Sequence, residues 1–256
     1  MLNLPIVVVA YNRPSSLKRL LDSLSTAKYI AGLNTTLYIS IDFSGSEDCL
    51  NVAKSFNWEF GDKKIIYHEE NIGLKDHVIK CGDLSQSHDG IIILEDDLIV
   101  SPSYYKYAQE VLKAYGNYPH IAGCSLYSYE VNEFCKLYFS SIQDNFDAFF
   151  MKVPCSWGQL YSKKQWESFK ESLSKNIKIE EDDFIPGKVY NWPETSWKKY
   201  FFKHMIMNNL YITYPHVSYS SNMGEAGTHF ANSANFIRTK MNLKDCDFKF
   251  PDFDQT

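Results

Sequence analysis

Three consecutive acids, Glu95, Asp96 and Asp97, follow the most apolar segment of the chain. Charges beside a buried strand are costly unless a partner compensates them, so this triplet is a candidate functional site. If the strand continues through it, Glu95 and Asp97 face one side and Asp96 the other, because side chains alternate along a strand. One side can then hold a divalent cation, and the other can accept hydrogen bonds from ribose hydroxyls or a backbone turn. The alternative is an exposed strand-end turn that caps a helix.

A divalent cation bound at this triplet would indicate which kind of ligand the site receives. Mg²⁺ or Mn²⁺ bound by only one or two protein oxygens completes its shell with water and phosphate oxygens, so we expect a nucleotide diphosphate. The chain has neither the G-x-x-x-x-G-K-[ST] motif of P-loop hydrolases nor the G-x-G-x-x-G motif of dinucleotide enzymes. The loop at 10–14 contains no glycine, which disfavours a sugar nucleotidyltransferase.

The elements that must position the triplet alternate along the first hundred residues. Strand patterns occur at 5–11, 35–42, 63–70 and 90–100, and helical patterns separate them. Four strands with three intervening helices predict right-handed crossovers and a doubly wound α/β sheet. Its ligand crevice lies at the carboxyl ends of the strands, where residues 11–13, 42–44 and 95–97 should meet.

The second half of the chain does not show this regular alternation of strand and helix patterns. We expect a helix at 103–115, short aromatic-rich strands between 121 and 150, and a helix across the segment PCSWGQLYSKKQWESFKESL. A long helix should begin at Pro193, and a strand should follow at 210–214. The tail at 244–256 has little core-forming character, so we expect it to be loosely attached. Without repeats or a linker, residues 1–256 are interpreted as a single domain.

Composition narrows the function classes. The net charge of −5 argues against a nucleic-acid partner, since phosphate neutralisation needs basic clusters. No run of 18 uncharged apolar residues predicts a membrane span. The six cysteines form no C-x-x-C pair and the N-terminus has no basic signal region, so we expect reduced thiols and a cytoplasmic location. The 18 Tyr, 17 Phe and 5 Trp can form core or platforms for bases and sugar rings.

Several segments together resemble the GT-A glycosyltransferases. PIVVVAYNRPSSLKRLLDSL is similar to their first β-α unit, ISIDFSG to the second strand, and ILEDDLIVSPSYYKY to the acidic motif. The similarity is greatest to the N-acetylglucosaminyltransferase I family and related bacterial, family 2-like polysaccharide glycosyltransferases, in which Glu-Asp-Asp replaces Asp-x-Asp. PCSWGQLYSKKQWESF, NWPETSW and SNMGEAGTHF resemble the acceptor-side segments and the loop over the donor. The resemblance covers about residues 5–230.

This resemblance implies a GT-A fold, with a Rossmann-like, doubly wound mixed sheet and an acceptor-binding sub-region. Residues 1–101 would form the nucleotide-sugar-binding half and residues 102–256 the acceptor-binding half. Asp97 would ligate Mn²⁺ or Mg²⁺, while Glu95 and Asp96 would bind the ribose and sugar portion of the donor. Further contacts to the nucleotide or donor are implied for Tyr11, Arg13, Asp42 and Lys75.

Two residues in the second half also have implied roles. His229 would be a second metal or phosphate contact, and Trp157, next to a glycine, would stack on an acceptor sugar. Structural alternatives stay open: Asp42 can cap a turn, Lys75 can lie on a solvated helix face, and a lone loop histidine is more often structural.

The catalytic base departs from the family pattern. The family places an Asp directly after the second Trp of the W-P-x-x-x-W segment, but here Lys198 follows Trp197. If a helix begins at Pro193, Glu194 lies on the same face as Lys198 and can replace the missing carboxylate. Glu225 is the second candidate. Either acid can instead be a surface residue.

These observations predict a metal-dependent, inverting glycosyltransferase that moves a sugar from a nucleotide diphosphate donor, most simply UDP-linked, to a glycan hydroxyl. The acceptor would be a glycan or lipid-linked oligosaccharide in bacterial surface polysaccharide synthesis, with peripheral contact at the inner membrane face. The alternative is a non-catalytic nucleotide-sugar or glycan binding protein on a degenerate transferase scaffold.

Overall fold

The computed structural model of the chain describes residues 1–132, 135–175, 185–225, 238–243 and 245–255. The strands of these parts are β1 (Ile6–Ala10), β2 (Leu37–Ile41), β3 (Lys63–Tyr67), β4 (Gly90–Glu95), β5 (Leu98–Val100), β6 (Ile121–Ser125), β7 (Ala148–Met151), β8 (Gln159–Ser162), β9 (Tyr211–Pro215) and β10 (Ser220–Asn222). The α-helices are α1 (Pro14–Ser25), α2 (Asp48–Ser55), α3 (Leu74–Asp83), α4 (Tyr104–Tyr115), α5 (Lys163–Ser174), α6 (Gly187–Tyr190) and α7 (Trp197–Met207). None of the helices in these ranges combines the length and apolarity needed to cross a bilayer.

One mixed sheet runs through both halves of the sequence. Its strand order is β3-β2-β1-β4-β8-β6-β9-β7, and β5 pairs with β10 in a separate two-stranded sheet. The strands β3, β2, β1 and β4 are parallel neighbours, with Val9 opposite Ser40 on one side and Glu95 on the other. The predicted doubly wound α/β sheet is confirmed, and the carboxyl ends of β1, β2 and β4 meet at one edge.

Two apolar layers cover this sheet, because its buried strands present side chains to both faces. In β1, Ile6 and Val8 join the core formed with α1, α2 and α4. Val7 and Val9 join the opposite core, which α3, α5 and α7 complete. Each helix contributes its apolar stripe, for example the four buried leucines of α1. The sheet edge that carries the acidic triplet is therefore held from both sides.

The strand before the acidic triplet ends earlier than predicted. β4 stops at Glu95, and Asp96 and Asp97 form a turn before β5 starts in the other sheet. The backbone N–H of Asp96 donates to the carbonyl of Val9 at 3.0 Å. The expectation that the strand continues through all three acids is wrong, since the chain leaves the main sheet here.

Two predictions for the second half are also wrong. The segment expected to be one helix contains β8, which lies antiparallel between β4 and β6, and α5 begins only at Lys163. Ser162 caps α5 with its hydroxyl and ends the strand. The helix expected from Pro193 begins at Trp197, because a turn closed by the Ser196 N–H and the Pro193 carbonyl precedes it.

Residues 245–255 are packed on the protein rather than loosely attached. Phe248, Phe250 and Phe253 lie against the core on the α4 side. Asp147 and Lys249 exchange two hydrogen bonds, one between backbones at 2.8 Å and one to the Asp147 carboxylate at 2.6 Å. The packing of these three partly buried phenylalanine rings explains why the tail is held although it has few core-forming residues.

Candidate functional site

The acidic turn, Glu95–Asp97, is bound by an arginine from the neighbouring strand's loop. Arg13 lies between β1 and α1, and its Nη1 donates to Asp97 Oδ2 at 2.9 Å. Its Nη2 donates to Asp96 Oδ1. The two aspartates therefore face the same guanidinium. The predicted alternation, with Asp96 on the opposite side from Asp97, is wrong because these residues form a turn and not a strand.

Burial sets the proton affinities in this cluster. It raises the pKa of Asp96 to about 6, although Arg13 opposes the shift. It raises the pKa of Glu95 to about 8, and the charge of Asp97 adds to the effect. Burial lowers the pKa of Arg13, but Asp96 and Asp97 raise it more, so the net shift is upward. The lysine side chain of Lys198 also lowers the Glu95 pKa, which indicates that the start of α7 lies near the acidic turn.

One carboxylate oxygen of Asp97 is available to bind a cation. Its Oδ1 is buried and has no hydrogen-bond partner, whereas Oδ2 binds Arg13. A buried carboxylate oxygen without a donor fits a metal ligand, because unpaired buried oxygens are otherwise costly. Within the described ranges, no group of three or more His, Cys, Asp or Glu side chains could hold a metal. Any metal here would therefore depend on few protein oxygens.

The carboxylate of Asp42, at the end of β2, accepts hydrogen bonds from three backbone N–H groups. Oδ1 accepts from the N–H groups of Phe43 and Ile72, both at 2.9 Å, and Oδ2 accepts from Gly73 at 3.0 Å. Gly73 has φ of 79°, a conformation that favours glycine. The capped-turn role left open above is therefore present, and Oδ2 keeps capacity for one further donor.

Exposed aromatic rings flank this part of the sheet edge. Tyr11 is 36% exposed, and its backbone N–H donates a hydrogen bond to the Asp96 carboxylate. Phe43 is 37% exposed and lies edge-on to Tyr67, with ring centroids 6.5 Å apart. Phe43 lies within residues 42–44, which were predicted to reach the ligand crevice, but it was given no role of its own. We call Arg13, Asp42, these rings and the acidic turn the donor side, after the donor contacts that the sequence resemblance implies.

A second ion pair lies next to the acidic turn. Arg19 binds Glu225 through both terminal nitrogens, at 2.6 and 2.8 Å, and the Ser16 hydroxyl donates to the same carboxylate. The hydrogen bonds from Arg19 lower the pKa of Glu225 to about 2. Glu225 was predicted as a base, and this pairing makes it a weak one. Ser16 and Arg19 were also missed, although their spacing of three residues places both on one helix face.

Glu194, the other predicted base, lies in the turn before α7. Its Oε1 accepts from Lys199 Nζ at 2.7 Å and its Oε2 from the Tyr200 hydroxyl. Glu194 does not share a helix face with Lys198, because α7 begins only at Trp197. Hydrogen bonds from Lys199 and Tyr200 lower the Glu194 pKa. Lys75 Nζ lies 5.0 Å from the Tyr200 ring centre, so it belongs to this group.

Trp157 lies in a group of tyrosines and is partly exposed. Its ring meets Tyr127 edge-on at 4.8 Å and Tyr129 at 6.0 Å. Gly158 has φ of 96°, and a Cβ there would lie 2.7 Å from Ser220 Oγ. The close packing at Gly158 therefore fixes the backbone next to the Trp157 ring. We call Trp157, Glu194, Lys199 and Tyr200 the acceptor side, after the roles predicted from the sequence for Trp157 and Glu194.

The structure brings Arg13, Asp96 and Asp97 into direct contact and places Asp42 at the end of a neighbouring strand. Lys75 groups with Tyr200 and Glu194 rather than with the acidic turn. His229 lies outside the described residues.

Comparisons with known proteins bear on the fold and the family of the chain. The sequence model described as glycosyl transferase family 2 matches residues 6–169. No curated protein matches the chain significantly. The structure of residues 1–349 of S. aureus TarS in complex with UDP-GlcNAc aligns at a TM-score of 0.54 with 14% identity, covering 91% of this chain and 61% of that one.

Two other structures of the same TarS segment give similar results. The complex with UDP has a TM-score of 0.52 at 14% identity, and another structure has 0.53 at 13%; both cover 85% of this chain and 59% of TarS. This chain thus spans about three-fifths of the length of these structures. At such identities the likeness shows the shared fold alone, and it confirms the GT-A, Rossmann-like architecture. Since the family match covers well over half of the sequence, the chain belongs to glycosyl transferase family 2.

Proposed function

We propose that the protein is a metal-dependent, inverting glycosyltransferase. It transfers a sugar from a nucleotide diphosphate donor, UDP-linked in the first instance, to a hydroxyl of a glycan acceptor. The observation that carries this proposal is the acidic turn with Arg13 at the carboxyl ends of β1 and β4, in a chain of glycosyl transferase family 2. Ligands of open α/β sheets bind at this position.

Asp97 Oδ1 is the proposed ligand for Mn²⁺ or Mg²⁺, because it is buried and has no donor. Such an ion, when bound, neutralises charge that develops on the leaving diphosphate. Arg13 would contact a phosphate oxygen with N–H groups that Asp96 and Asp97 leave unused, since each terminal nitrogen carries two. The presence of UDP-GlcNAc in the TarS structure, a protein of the same fold, supports a nucleotide-sugar donor here.

Glu194 is the proposed base. Lys199 and Tyr200 bind Glu194 much as Arg19 and Ser16 bind Glu225. The Glu194 side chain is, however, 74% exposed against 33% for Glu225, so an acceptor hydroxyl can approach it more easily. Glu194 takes the proton of the acceptor hydroxyl as its oxygen attacks the anomeric carbon. The bond from that carbon to the diphosphate breaks, and the nucleoside diphosphate leaves. Displacement in one step inverts the anomeric configuration.

The acceptor is proposed to be a glycan or a lipid-linked oligosaccharide in surface polysaccharide synthesis. Trp157 offers a partly exposed ring whose backbone is fixed by Gly158, and aromatic faces suit the apolar side of a sugar ring. A lipid-linked acceptor would bring the protein to the inner face of the bacterial membrane.

The test is donor turnover with and without Mn²⁺. Wild-type protein should release nucleoside diphosphate from one of a panel of nucleotide sugars only with the metal, and NMR of the product should show inverted configuration. Asp97→Asn should reduce this turnover at least 100-fold while Asp22→Asn, an exposed acid on α1, should not. Wild-type rates for Asp97→Asn would refute the site.

One observation favours the non-catalytic alternative. Both candidate bases are paired with cations, and their pKa values are lowered. A binding protein would bind the nucleotide sugar in a calorimeter but release no nucleoside diphosphate with any acceptor tested, so the same panel separates the two functions.

A further inference from the structure

The Ser16, Arg19 and Glu225 cluster has the form of an occupied anion site. Arg19 presents its two terminal nitrogens side by side to the Glu225 carboxylate, and the Ser16 hydroxyl donates to one of the same oxygens. A fork of guanidinium nitrogens with a nearby hydroxyl binds phosphate oxygens equally well, because both anions present paired oxygens. The carboxylate here comes from the protein itself.

The cluster adjoins the acidic turn. The N–H of Met223, two residues before Glu225, donates to the Asp97 carbonyl at 3.0 Å. The charge of Asp97 raises the Arg19 pKa and that of Arg13 lowers it, so the three side chains lie within electrostatic range of one another. The two arginines of α1 and its preceding loop therefore point to one region, where the proposed donor diphosphate would lie.

The existing pair leaves one donor of Arg19 unused. Arg19 Nε is buried and has no acceptor, because Glu225 binds only the two terminal nitrogens. An unpaired buried N–H is costly. A diphosphate has more oxygens than a carboxylate and can reach Nε together with a terminal nitrogen. The Arg19 Nε–H group of the cluster therefore has no hydrogen-bond acceptor while Glu225 is bound.

The pair is also easily exchanged. The side chains of Arg19 and Glu225 are 31% and 33% exposed, and partly exposed ion pairs contribute little stability. In the free site, moreover, two arginines face the three carboxylates of Asp96, Asp97 and Glu225. These groups together carry a net negative charge, and the departure of Glu225 would make it zero, so an incoming diphosphate would meet less repulsion.

We propose that Arg19 and Ser16 form a diphosphate-binding subsite that Glu225 occupies in the free protein and vacates when the donor binds. Glu225 is then an internal competitor of the donor, and Arg19 is a donor-binding residue. This inference rests on the proposed function, since it takes the ligand to be a nucleoside diphosphate.

The test is calorimetric binding of UDP with Mn²⁺ present. Glu225→Gln keeps the shape of the side chain but removes its charge, so it should lower the Kd for UDP about tenfold. Arg19→Gln should raise the Kd at least tenfold. The double variant should lie close to Arg19→Gln, because Arg19 donates two of the three hydrogen bonds that hold Glu225 in the subsite. Uridine, which lacks phosphates, should bind the wild type and Glu225→Gln equally.

Asp22→Asn is the matched control. It removes one negative charge from the same helix, where Asp22 pairs with Lys18 at 2.6 Å, and it should leave the Kd for UDP unchanged. If it tightens binding as much as Glu225→Gln, the effect is general electrostatics and the inference fails. Arg19→Lys, which keeps the charge but loses the fork, should still weaken UDP binding if Arg19→Gln does not fold.

The outcomes separate this inference from the proposed function. Wild-type protein that binds none of UDP, GDP or CDP with Mn²⁺ would overturn both. Wild-type protein that binds UDP in an Asp97-dependent way, with Glu225→Gln unchanged or weaker, would overturn the subsite alone and leave Glu225 as a structural anchor.

Discussion

The donor side and the acceptor side hold their carboxylates in opposite ways. Asp96 is 2% exposed and lies in a turn fixed by β1, β4 and Arg13, whereas the Glu194 side chain is 74% exposed in a turn before α7. On the donor side, sheet topology brings residues from separate strands together. On the acceptor side, neighbours in sequence supply the partners, since Glu194 binds Lys199 and Tyr200.

This difference separates two electrostatic tasks. Buried carboxylates have raised pKa values unless a cation compensates them, which suits a site that receives a metal and a cation-binding diphosphate. An exposed carboxylate pays little desolvation and stays ionised, which suits a group that must meet an acceptor from solution. The predictions below test whether the two sides are separable in this way.

Glu194→Gln should have the largest effect. Removing the proposed base should lower kcat about 100- to 10,000-fold, while the Kd for UDP with Mn²⁺ stays within twofold. Steady-state kinetics with a saturating acceptor measure kcat, and calorimetry measures the Kd for UDP. Glu167→Gln, at an exposed position of α5, is the control and should leave both unchanged. Equal losses in kcat and UDP affinity would mean that the two sides are not separable.

Arg13→Met should mainly cost stability. It leaves Asp96 and Asp97 close together without their shared cation, and breaking a buried pair typically costs about 3 kcal/mol or more. We expect the free energy of unfolding in urea at pH 7.5 to fall by about 3 kcal/mol. Arg13→Lys, which keeps the charge, should recover part of it. A loss below about 0.5 kcal/mol would show that the donor side is not organised by this arginine.

The donor side was also the more predictable one. The residues of β1, β2 and β4 are continuous apolar runs, and the topological rule places their carboxyl ends together, so the association of Arg13 with Asp96 and Asp97 followed from the order of the elements. What sequence could not give was the turn at Asp96. Leaving the sheet there depends on β5 pairing with β10, more than a hundred residues later.

The acceptor side was harder because its local signals are ambiguous. β8 has four residues, and its Leu160 and Tyr161 fit a helical pattern as well as a strand; only pairing with β4 and β6 selects the strand. Glu194 was identified as a candidate, but its partners depend on where α7 starts. Glu225 and Arg19 lie 206 positions apart, so no sequence spacing could pair them.

Acid should destabilise both sides through buried histidines. Burial lowers the pKa of His77, in α3, and of His204, in α7, from 6.5 to about 4 each. Ser40 Oγ bonds to His77 Nε2 and Ser172 Oγ to His204 Nδ1, both at 2.7 Å. The unfolded chain therefore binds more protons than the folded one between pH 4 and 6.5, and stability rises with pH across that window.

Each histidine should contribute about 2–3 kcal/mol that is complete above pH 6.5 and lost as the pH falls towards 4. Urea unfolding at several pH values measures the slope, which His77→Gln and His204→Gln should each reduce. His68 and Lys80 also lower the His77 pKa and Asp42 raises it, so Lys80→Met is a check on the neighbouring charges. A slope unchanged in both variants would assign the acid sensitivity to the carboxylates.

Trp157→Ala should have the smallest and most selective effect. Its ring packs on Tyr127 and Tyr129 but stays partly exposed, so its removal should raise the acceptor KM about tenfold and change the Kd for UDP less than twofold. Trp166→Ala is the matched control, because that ring is fully buried and its loss should lower stability instead. If Trp157→Ala weakens acceptor use and UDP binding equally, its ring supports folding of the whole site, and the acceptor side has no independent sugar platform at this position.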